Sequence, residues 1–424
     1  MNVSLLGGWL PWTLRILTPV ALVLLVVATG GRNRRWYLTR LPILLAAGAV
    51  TAVASVFVVR DLMDISDPLP TSLWFWIGCA PVAIGAGISG WRGGRWWRRA
   101  AAPFALVLAL LTAGEALNIS LGYYPTVADM YGELTNQNLP AQVTVKQLRG
   151  MHGNTDTGRI VAVNIPDVPS GFGHRTEYIY LPPAWFRSTH RPKLPVVEMV
   201  AGAYEVPDNW IRSGQAVKTA DAFAAAHHGY APILVFADAT GGFNVDSECV
   251  NGAAGNAADH LVKDIPRYVE RVFGTATDAK HWGVAGWSMG GTCAVTLTVT
   301  HPEVFGHFVD MAGDSGPNLG DKPTTIAKLY KGDAAAWAAN DPMTVLAHHG
   351  PYPKGTTGYF TTGDQETAHL RQAKELSAAA KKAGIGNRVV VSSGKHSWTF
   401  AVEAFARSLP WLAWQVGSPD ARAA

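Results

Sequence analysis

Predominantly apolar runs occupy the first 121 residues. Four of them, at residues 10–29, 41–59, 72–90 and 101–119, each approach the length of about 20 residues that a helix needs to cross a bilayer. The cationic residues of the first run follow it, and no A-x-A cleavage site is present, so it is expected to remain as a helix. The pattern predicts a membrane domain over residues 1–121 with four transmembrane helices in the lipid bilayer.

Charges between these runs predict an orientation. Two short loops carry arginines, namely Arg32, Arg34, Arg35 and Arg40 in one, and Arg92, Arg95, Arg98 and Arg99 in the other. The loop between them carries Asp61, Asp64 and Asp67. Because short basic loops stay in the cytoplasm, both termini are expected outside it, in a multi-pass cell-membrane protein. Arg15, inside the first run, is expected to reach the outer interface near Trp9 and Trp12.

A different pattern begins after residue 121. Residues 122–142 are polar, are punctuated by Gly and Pro, and predict a linker. Short β-rich runs then alternate with helical patterns, at 159–165, 177–181, 195–200, 232–237, 281–286, 307–311, 358–361 and 388–391. This alternation predicts an α/β domain over 143–417, followed by a tail at 418–424. Its mainly parallel sheet would have about eight strands, the first two forming an antiparallel hairpin at the edge.

Composition narrows the classes of partner. Only 16% of the residues are charged and 48% are hydrophobic, which favours lipid-facing segments. The net charge of +4 comes without a run of five or six like charges, so a nucleic-acid partner is not expected. The three cysteines show no CxxC or Cys/His metal spacing, so a structural zinc site is not expected.

The sharpest motif is Gly286-Trp287-Ser288-Met289-Gly290-Gly291, between a strand-like run and a helical pattern. In such a strand-to-helix turn, glycines flanking the central serine permit close packing and lift its hydroxyl clear of the sheet. Ser288 is therefore the expected nucleophile, with Gly286 and Gly290 forming its elbow. The alternative is a Gly-rich turn with an incidental serine. The motif and the strand order together predict an α/β-hydrolase fold.

A serine nucleophile needs a histidine base that is oriented by a carboxylate, here in the chain order Ser, acid, His. His396 follows the last strand-like run and is the expected base. Asp364, directly after the preceding run, is the expected acid, although an aspartate there could also cap the next helix. Glu366 and Asp314 are the reserve acids.

Two backbone N–H groups would form the oxyanion hole, from Met289 and from either Ala203 or Tyr204 in the loop after the third strand. Tyr204 could equally be a packing residue. Trp287, Trp398 and Phe243 could line an acyl pocket or simply pack.

Cys249 and Cys293 form a possible disulfide, since the predicted compartment is oxidising. Alternatively, Cys293 is a small buried apolar residue.

The serine motif, the Gly363-Asp364 turn and the string His396-Ser397-Trp398 resemble the putative-esterase family over roughly residues 145–415. This family includes esterase D, feruloyl esterases and the secreted mycolyltransferases. The resemblance implies a Ser, Asp/Glu, His triad and ester chemistry, with no metal or organic cofactor. The mycolyltransferases share the His-Ser-Trp string but use a glutamate as the acid and lack membrane helices.

The sequence thus predicts a membrane-anchored extracytoplasmic serine esterase, acting through an acyl-enzyme on a small-molecule, lipid or glycolipid ester. One alternative is an acyltransferase that moves the acyl group to a cell-envelope sugar or lipid. The other is a non-catalytic membrane scaffold.

Overall fold

The computed structural model describes residues 3–62, 69–91, 96–148, 150–242 and 245–421. The chain divides into two compact units, Met1–Asn136 and Gln137–Ala424. Of the predicted loop residues, Asp64, Asp67, Arg92 and Arg95 lie outside the described residues, as do residues 422–424 of the predicted tail. The described part of that tail, 418–421, belongs to the second unit.

The first unit consists of helices. They are α1 Trp9–Gly30, α2 Arg34–Phe57, α3 Thr71–Gly90, α4 Trp96–Leu121 and α5 Val127–Leu134, with a π-helical segment Val58–Leu62 continuing α2. Four segments are long and apolar enough to cross a membrane, namely Trp9–Gly30, Arg34–Leu62, Thr71–Gly90 and Arg99–Leu121. They coincide with the four predicted apolar runs.

Polar side chains join α1 to α4 inside this unit. Arg15 Nη2 lies 3.0 Å from Glu115 Oε1, and the hydroxyls of Thr18 and Thr112 are 2.6 Å apart. The Glu115 side chain is only 4% exposed, and a buried carboxylate is stable only beside a cation or hydrogen-bond donors. The sequence analysis did not identify Glu115 as a partner of Arg15, and the expectation that Arg15 reaches the interface stays a prediction.

The predicted linker over 122–142 is also corrected. Its first part folds into α5 within the first unit, and residues from Gln137 onward belong to the second. The Thr126 hydroxyl caps this helix by accepting the Asp129 N–H at 3.2 Å. A Thr followed three residues later by an acidic residue is a sequence signature of a helix start, so the helix was recognisable from sequence.

The second unit is built on a mainly parallel sheet. Its strands are β1 Gln142–Val143, β2 Arg159–Val163, β3 Glu177–Leu181, β4 Val196–Val200, β5 Ile233–Ala237, β8 Trp282–Trp287, β9 His307–Met311, β10 Thr357–Gly363 and β11 Gly386–Ser392, while β6 Asn251–Gly252 and β7 Gly255–Asn256 pair separately. Among the described residues the order is β1-β2-β3-β5-β4-β8-β9-β10-β11. Only the pairs β2/β3 and β3/β5 are antiparallel within this sheet. The predicted hairpin is present, but β1 and not β2 forms that edge.

Helices cover this sheet. They are α6 Val145–Leu148, α7 Pro183–Phe186, α8 Asn209–Arg212, α9 Ala216–Ala226, α10 Ala257–Asp259, α11 Ile265–Phe273, α12 Met289–Thr300, α13 Lys322–Leu329, α14 Ala334–Asn340, α15 Pro342–His348, α16 Thr367–Lys382 and α17 Trp398–Gln415, with a π-helical segment His260–Asp264 and a 3₁₀ turn Ala279–His281. This architecture confirms the predicted α/β fold.

The core explains why the central strands read as unbroken apolar runs. Strands β4, β5 and β8 are buried along their whole lengths, as expected for parallel strands covered on both faces. Helix α12 is buried at every position from Met289 to Val299. The carboxyl ends of β4, β8, β10 and β11 lie at one edge of the sheet, where ligands bind in open α/β sheets.

Candidate active site

Ser288 occupies the sharp turn between β8 and α12. Its backbone has φ of 58° and ψ of −123°, a conformation that side-chain-bearing residues rarely adopt. The Ser288 N–H donates to the Met311 carbonyl of β9 at 2.9 Å, which holds the turn against the sheet. The hydroxyl is thereby presented at the carboxyl edge, as predicted for a nucleophile elbow.

The glycines flanking Ser288 are required by close backbone packing. A Cβ on Gly286 would collide with the backbone of Gly290. One on Gly290 would collide with the carbonyl oxygens of Val200 and Ala201. Both predicted elbow positions therefore exclude any side chain.

His396 lies between β11 and α17, and its ring reaches the serine. His396 Nε2 is 3.0 Å from Ser288 Oγ, across 108 residues of sequence. The buried Trp287 ring stacks on the imidazole, with centroids 4.1 Å apart. The structure thus brings together the two residues predicted as nucleophile and base.

The carboxylate beside His396 belongs to Glu366 and not to Asp364. Glu366 Oε1 lies 2.6 Å from His396 Nδ1, and Oε2 accepts the Gly363 N–H at 3.1 Å. Asp364 Oδ1 instead accepts the Gly394 N–H at 3.0 Å, so it braces the loop that carries His396. The prediction of Asp364 as the histidine's partner is corrected to the reserve acid Glu366.

The turn after β10 explains why Glu366, and not Asp364, reaches His396. The Asp364 N–H donates to the Ser392 carbonyl, which keeps this residue in register with the end of β11 and leaves its side chain exposed. Glu366, two residues later, directly precedes α16 and is 7% exposed. Its extra methylene lets the carboxylate reach back to the imidazole. The glutamate acid of the resembling mycolyltransferases was the available signal for this residue.

His369, absent from the sequence prediction, is a second imidazole on the same carboxylate. Its Nδ1 lies 3.3 Å from Glu366 Oε1, and its ring stacks on that of His396 with centroids 5.0 Å apart. Asp314, the other reserve acid, lies on the far side, 3.7 Å from His369 Nε2. Spacing of i, i+3 from Glu366 on a predicted helix was the signal that could have identified His369.

Charge around Glu366 favours its ionised form. Burial raises the Glu366 pKa, but hydrogen bonds from His369 and His396 outweigh it and hold the pKa at about 2. Burial lowers the His369 pKa, whereas its hydrogen bond to Glu366 and the charge of Asp314 produce a net rise. The site therefore contains an ionised carboxylate at neutral pH.

Two segments that carry the predicted oxyanion donors adjoin the serine. Met289 begins α12, so its N–H has no carbonyl partner within the helix. The oxyanion loop, residues 201–205, approaches from β4, and a Cβ on Gly202 would be 3.4 Å from Ser288 Cβ. Tyr204 has a positive φ of 64°. It is 56% exposed, so its ring does not pack in the core. The donation from Ala203 or Tyr204 stays a prediction.

Two further predicted features have defined positions. Cys249 and Cys293 are joined by a disulfide, which ties the segment before β6 to α12. Trp398 is 2% exposed and donates its indole N–H to Glu205 Oε1 at 2.8 Å. Phe243, the third aromatic suggested for an acyl pocket, lies outside the described residues.

Two clusters of potential metal ligands occur among the described residues. They are Glu366 with His369 and His396, and His174 with Glu177 and His260. In each, the two imidazole rings are stacked, with interplanar angles of 20° and 22°. Because a metal binds in the plane of an imidazole, two stacked rings cannot direct their nitrogens at one ion without rotating. Both clusters favour hydrogen bonding between imidazole and carboxylate over chelation.

Comparison with known proteins is consistent with this geometry. A model of the family described as "Putative esterase" matches residues 173–412, more than half of the chain. An uncharacterised protein of Corynebacterium glutamicum is 28% identical over 416 residues, covering 94% of this chain and 95% of the relative.

Solved structures match the second unit. A ferulic acid esterase has a TM-score of 0.50 at 20% identity, covering 62% of this chain and 99% of the esterase. An S-formylglutathione hydrolase from Agrobacterium tumefaciens has a TM-score of 0.51 at 18% identity, covering 62% of this chain and 98% of the hydrolase. At these identities the similarity shows the fold alone.

Proposed function

The chain belongs to the putative-esterase family, and from that premise we propose that it cleaves carboxylic esters through an acyl-enzyme on Ser288. The observation that carries this proposal is the hydrogen-bonded relay from Ser288 Oγ to His396 Nε2 and from His396 Nδ1 to Glu366. A serine hydroxyl at its ordinary pKa is a weak nucleophile, and such a relay supplies the missing base.

The proposed reaction has two halves. Ser288 Oγ bonds to the acyl carbon while His396 Nε2 accepts its proton, and the resulting imidazolium lies against the Glu366 carboxylate. Collapse breaks the bond to the alcohol oxygen, which takes the proton from His396. A water molecule then attacks the acyl carbon, gives its proton to His396, and releases the carboxylic acid as Ser288 Oγ is reprotonated.

Negative charge develops on the carbonyl oxygen in both halves. The N–H of Met289 and an N–H of the oxyanion loop, from Ala203 or Tyr204, are the proposed donors. Loss of one such donor typically costs about 10²- to 10³-fold in kcat. The position of the oxyanion loop beside Ser288 supports this assignment.

We further propose that the four apolar helices anchor the protein and that the catalytic unit lies outside the cytoplasm. The arginine distribution supports this orientation, and the Cys249–Cys293 disulfide is typical of an oxidising compartment. A periplasmic or extracellular reporter fused after Ala424 should be active, and activity of a cytoplasmic reporter would overturn the topology.

Acyl transfer to a sugar or lipid hydroxyl is the second candidate. It is favoured by one specific observation, since the His-Ser-Trp string is now accompanied by a glutamate on the histidine, the combination that characterises the resembling mycolyltransferases. The acyl-enzyme is the same, and a hydroxyl acceptor replaces water. Acyl-enzyme breakdown that accelerates with trehalose and yields acylated sugar would favour transfer over hydrolysis.

Turnover of p-nitrophenyl esters of increasing acyl length by the purified full-length protein tests the proposal. Wild type and Ser188→Ala, a change at an exposed serine, should turn over equally, whereas Ser288→Ala should lose about 10⁴-fold or more. A fluorophosphonate should label wild type at Ser288. Absence of both turnover and labelling would contradict the proposal and favour a non-catalytic scaffold.

A further inference from the structure

Glu205 uses its two carboxylate oxygens to join two different parts of the active site. Its Oε2 accepts the Gly202 N–H at 2.8 Å, within the oxyanion loop. Its Oε1 accepts the Trp398 indole N–H at 2.8 Å, from the first residue of α17. Trp398 follows His396 by two residues, so one side chain connects the oxyanion loop to the segment that carries the base.

The main chain of Glu205 is held independently. Arg175 Nη2 donates to the Glu205 carbonyl at 2.9 Å. The same guanidinium is fixed by Asp238, through Nη2 to Oδ1 at 2.6 Å and Nε to Oδ2 at 2.9 Å. Asp238 is 1% exposed, so this anchor belongs to the core of the unit. The main chain and the side chain of Glu205 are therefore both held by hydrogen bonds.

Such fixing is needed because the loop is strained. Tyr204, next to Glu205, has φ of 64°, a left-handed conformation that is unfavourable for a bulky residue. Without an external restraint the loop would relax toward ordinary backbone angles. The N–H groups of residues 203 and 204 would then turn away from the carbonyl oxygen of a substrate on Ser288.

We propose that Glu205 is a positioning residue that holds the oxyanion loop in register with Ser288 and His396. This inference rests on the proposed function. Oxyanion donors act only within about 2.7 to 3.1 Å of the developing charge, and a displacement of 1 Å can cost about 10²-fold in rate. Glu205 touches neither substrate nor reacting atoms, and it acts through the loop.

Glu205→Gln in the full-length protein tests this role. A glutamine offers only one acceptor oxygen, so its amide NH₂ must face either the Gly202 N–H or the Trp398 N–H. We expect kcat to fall about 10- to 100-fold with KM nearly unchanged, because the loop contributes mainly to the transition state. A trifluoromethyl ketone, whose adduct on Ser288 carries an oxyanion, should lose affinity by a similar factor.

A second variant covers the possibility that Glu205→Gln fails to fold. Trp398→Phe removes the indole N–H and part of a buried ring but leaves the Glu205 contact with Gly202 intact. A smaller loss of kcat and of ketone affinity is therefore expected. The double variant should lose less than the product of the two single losses, because both changes break one shared contact. Glu403→Gln, the same chemical change at an exposed position of α17, is the matched control and should keep the wild-type values.

The outcomes separate this inference from the proposed function. Wild-type values of kcat and ketone affinity in Glu205→Gln would overturn the positioning role alone. Equal losses in Glu403→Gln would also overturn it, because the effect would not depend on the contacts of Glu205. A wild type that neither turns over esters nor reacts with fluorophosphonate would contradict the proposed function, and the positioning role with it.

Discussion

Large apolar side chains have opposite surroundings in the two units. In the first, Val53 and Leu110 are 70% and 52% exposed, whereas Val235 and Phe308 of the second are fully buried. Outward-facing apolar side chains are favourable where the surroundings are themselves apolar, and unfavourable in water. The difference supports the proposal that the first unit faces lipid, since its four long helices are long and apolar enough to cross a membrane.

Each unit nevertheless buries a carboxylate against a cationic or polar partner. Glu115 meets Arg15 and ties two apolar helices together. The Glu366 carboxylate accepts hydrogen bonds from the N–H groups of His396, His369 and Gly363. The Arg15–Glu115 ion pair thus joins two helices. The donors around Glu366 instead keep that carboxylate ionised beside His396. Removing each carboxylate should therefore have different consequences.

The largest expected effect is on turnover when Glu366 becomes Gln. The substitution keeps the size of the side chain but removes the charge that stabilises the imidazolium, and it permits the wrong histidine tautomer. We expect kcat to fall by about 10⁴-fold, as for comparable triad carboxylates. Ester turnover by the purified protein measures it.

Asp364→Asn is the matched control. Its amide oxygen can still accept the Gly394 N–H, so kcat should stay within a few-fold of wild type. The opposite ranking, with Asp364→Asn the more damaging change, would restore Asp364 as the acid.

This pair of residues also shows what sequence could and could not predict. Ser288 and His396 follow from a local motif and from the order of strands, because both depend on where a strand ends. The acid could not be chosen in the same way, since Asp364 and Glu366 both follow β10. Their side-chain directions depend on the turn after Gly363, and its hydrogen bonds to 392 and 394 join segments distant in sequence.

The same distinction applies to the fold, since elements specified by local sequence were predicted and those that depend on distant contacts were not. Apolar runs predicted the four long helices and the central strands, because the length and apolar character of a run are enough to specify those elements. The two-residue strand β1 has no such signal, since it depends on pairing with β2. The pairing of Arg15 with Glu115 likewise depends on how α1 packs against α4, which a single-helix pattern does not contain.

A second prediction concerns the pH dependence of stability in the second unit. Glu366 has a pKa of about 2 in the folded protein, against an ordinary value of 4.5. A depressed pKa contributes stability above the ordinary value, which is lost as pH falls from about 4.5 to about 2. The linked loss is about 3 kcal/mol. Acid unfolding of wild type should therefore be steeper over this range than that of Glu366→Gln, and identical profiles would contradict the assignment.

A third prediction tests the ion pair of the first unit. Glu115→Gln should lower the unfolding free energy in detergent by about 1 to 2 kcal/mol, because it leaves Arg15 without its carboxylate. Ester turnover should change little, since the pair serves helix packing. Adding Arg15→Gln should cost less than the sum of the single changes.

Asp61→Asn, at an exposed acidic position in the same unit, is the control and should leave stability unchanged. A large loss of turnover in Glu115→Gln, with stability intact, would assign the Arg15–Glu115 pair a direct role in the reaction and would contradict the comparison between the units.

The smallest expected effect is that of His369→Phe, which keeps a ring against His396 but removes the N–H that reaches Glu366. Losing this donor should raise the Glu366 pKa, so the acid-dependent loss of stability should begin at a higher pH than in wild type. We expect kcat to fall about 3- to 10-fold, which corresponds to the lower range of about 0.5 to 1.5 kcal/mol for one hydrogen bond, because His369 acts on the base only through Glu366.

His369→Gln separates the hydrogen bond from the stacked ring, because a glutamine can donate to Glu366 but cannot stack on His396. If the hydrogen bond is what matters, His369→Gln should recover most of the activity and the wild-type pH profile. If instead His369→Phe is the more active of the two, ring packing and not donation to Glu366 is the function of this residue. Glu366 would then depend on two donors, Gly363 and His396. Its surroundings would resemble more closely those of Glu115, which is paired with Arg15 alone.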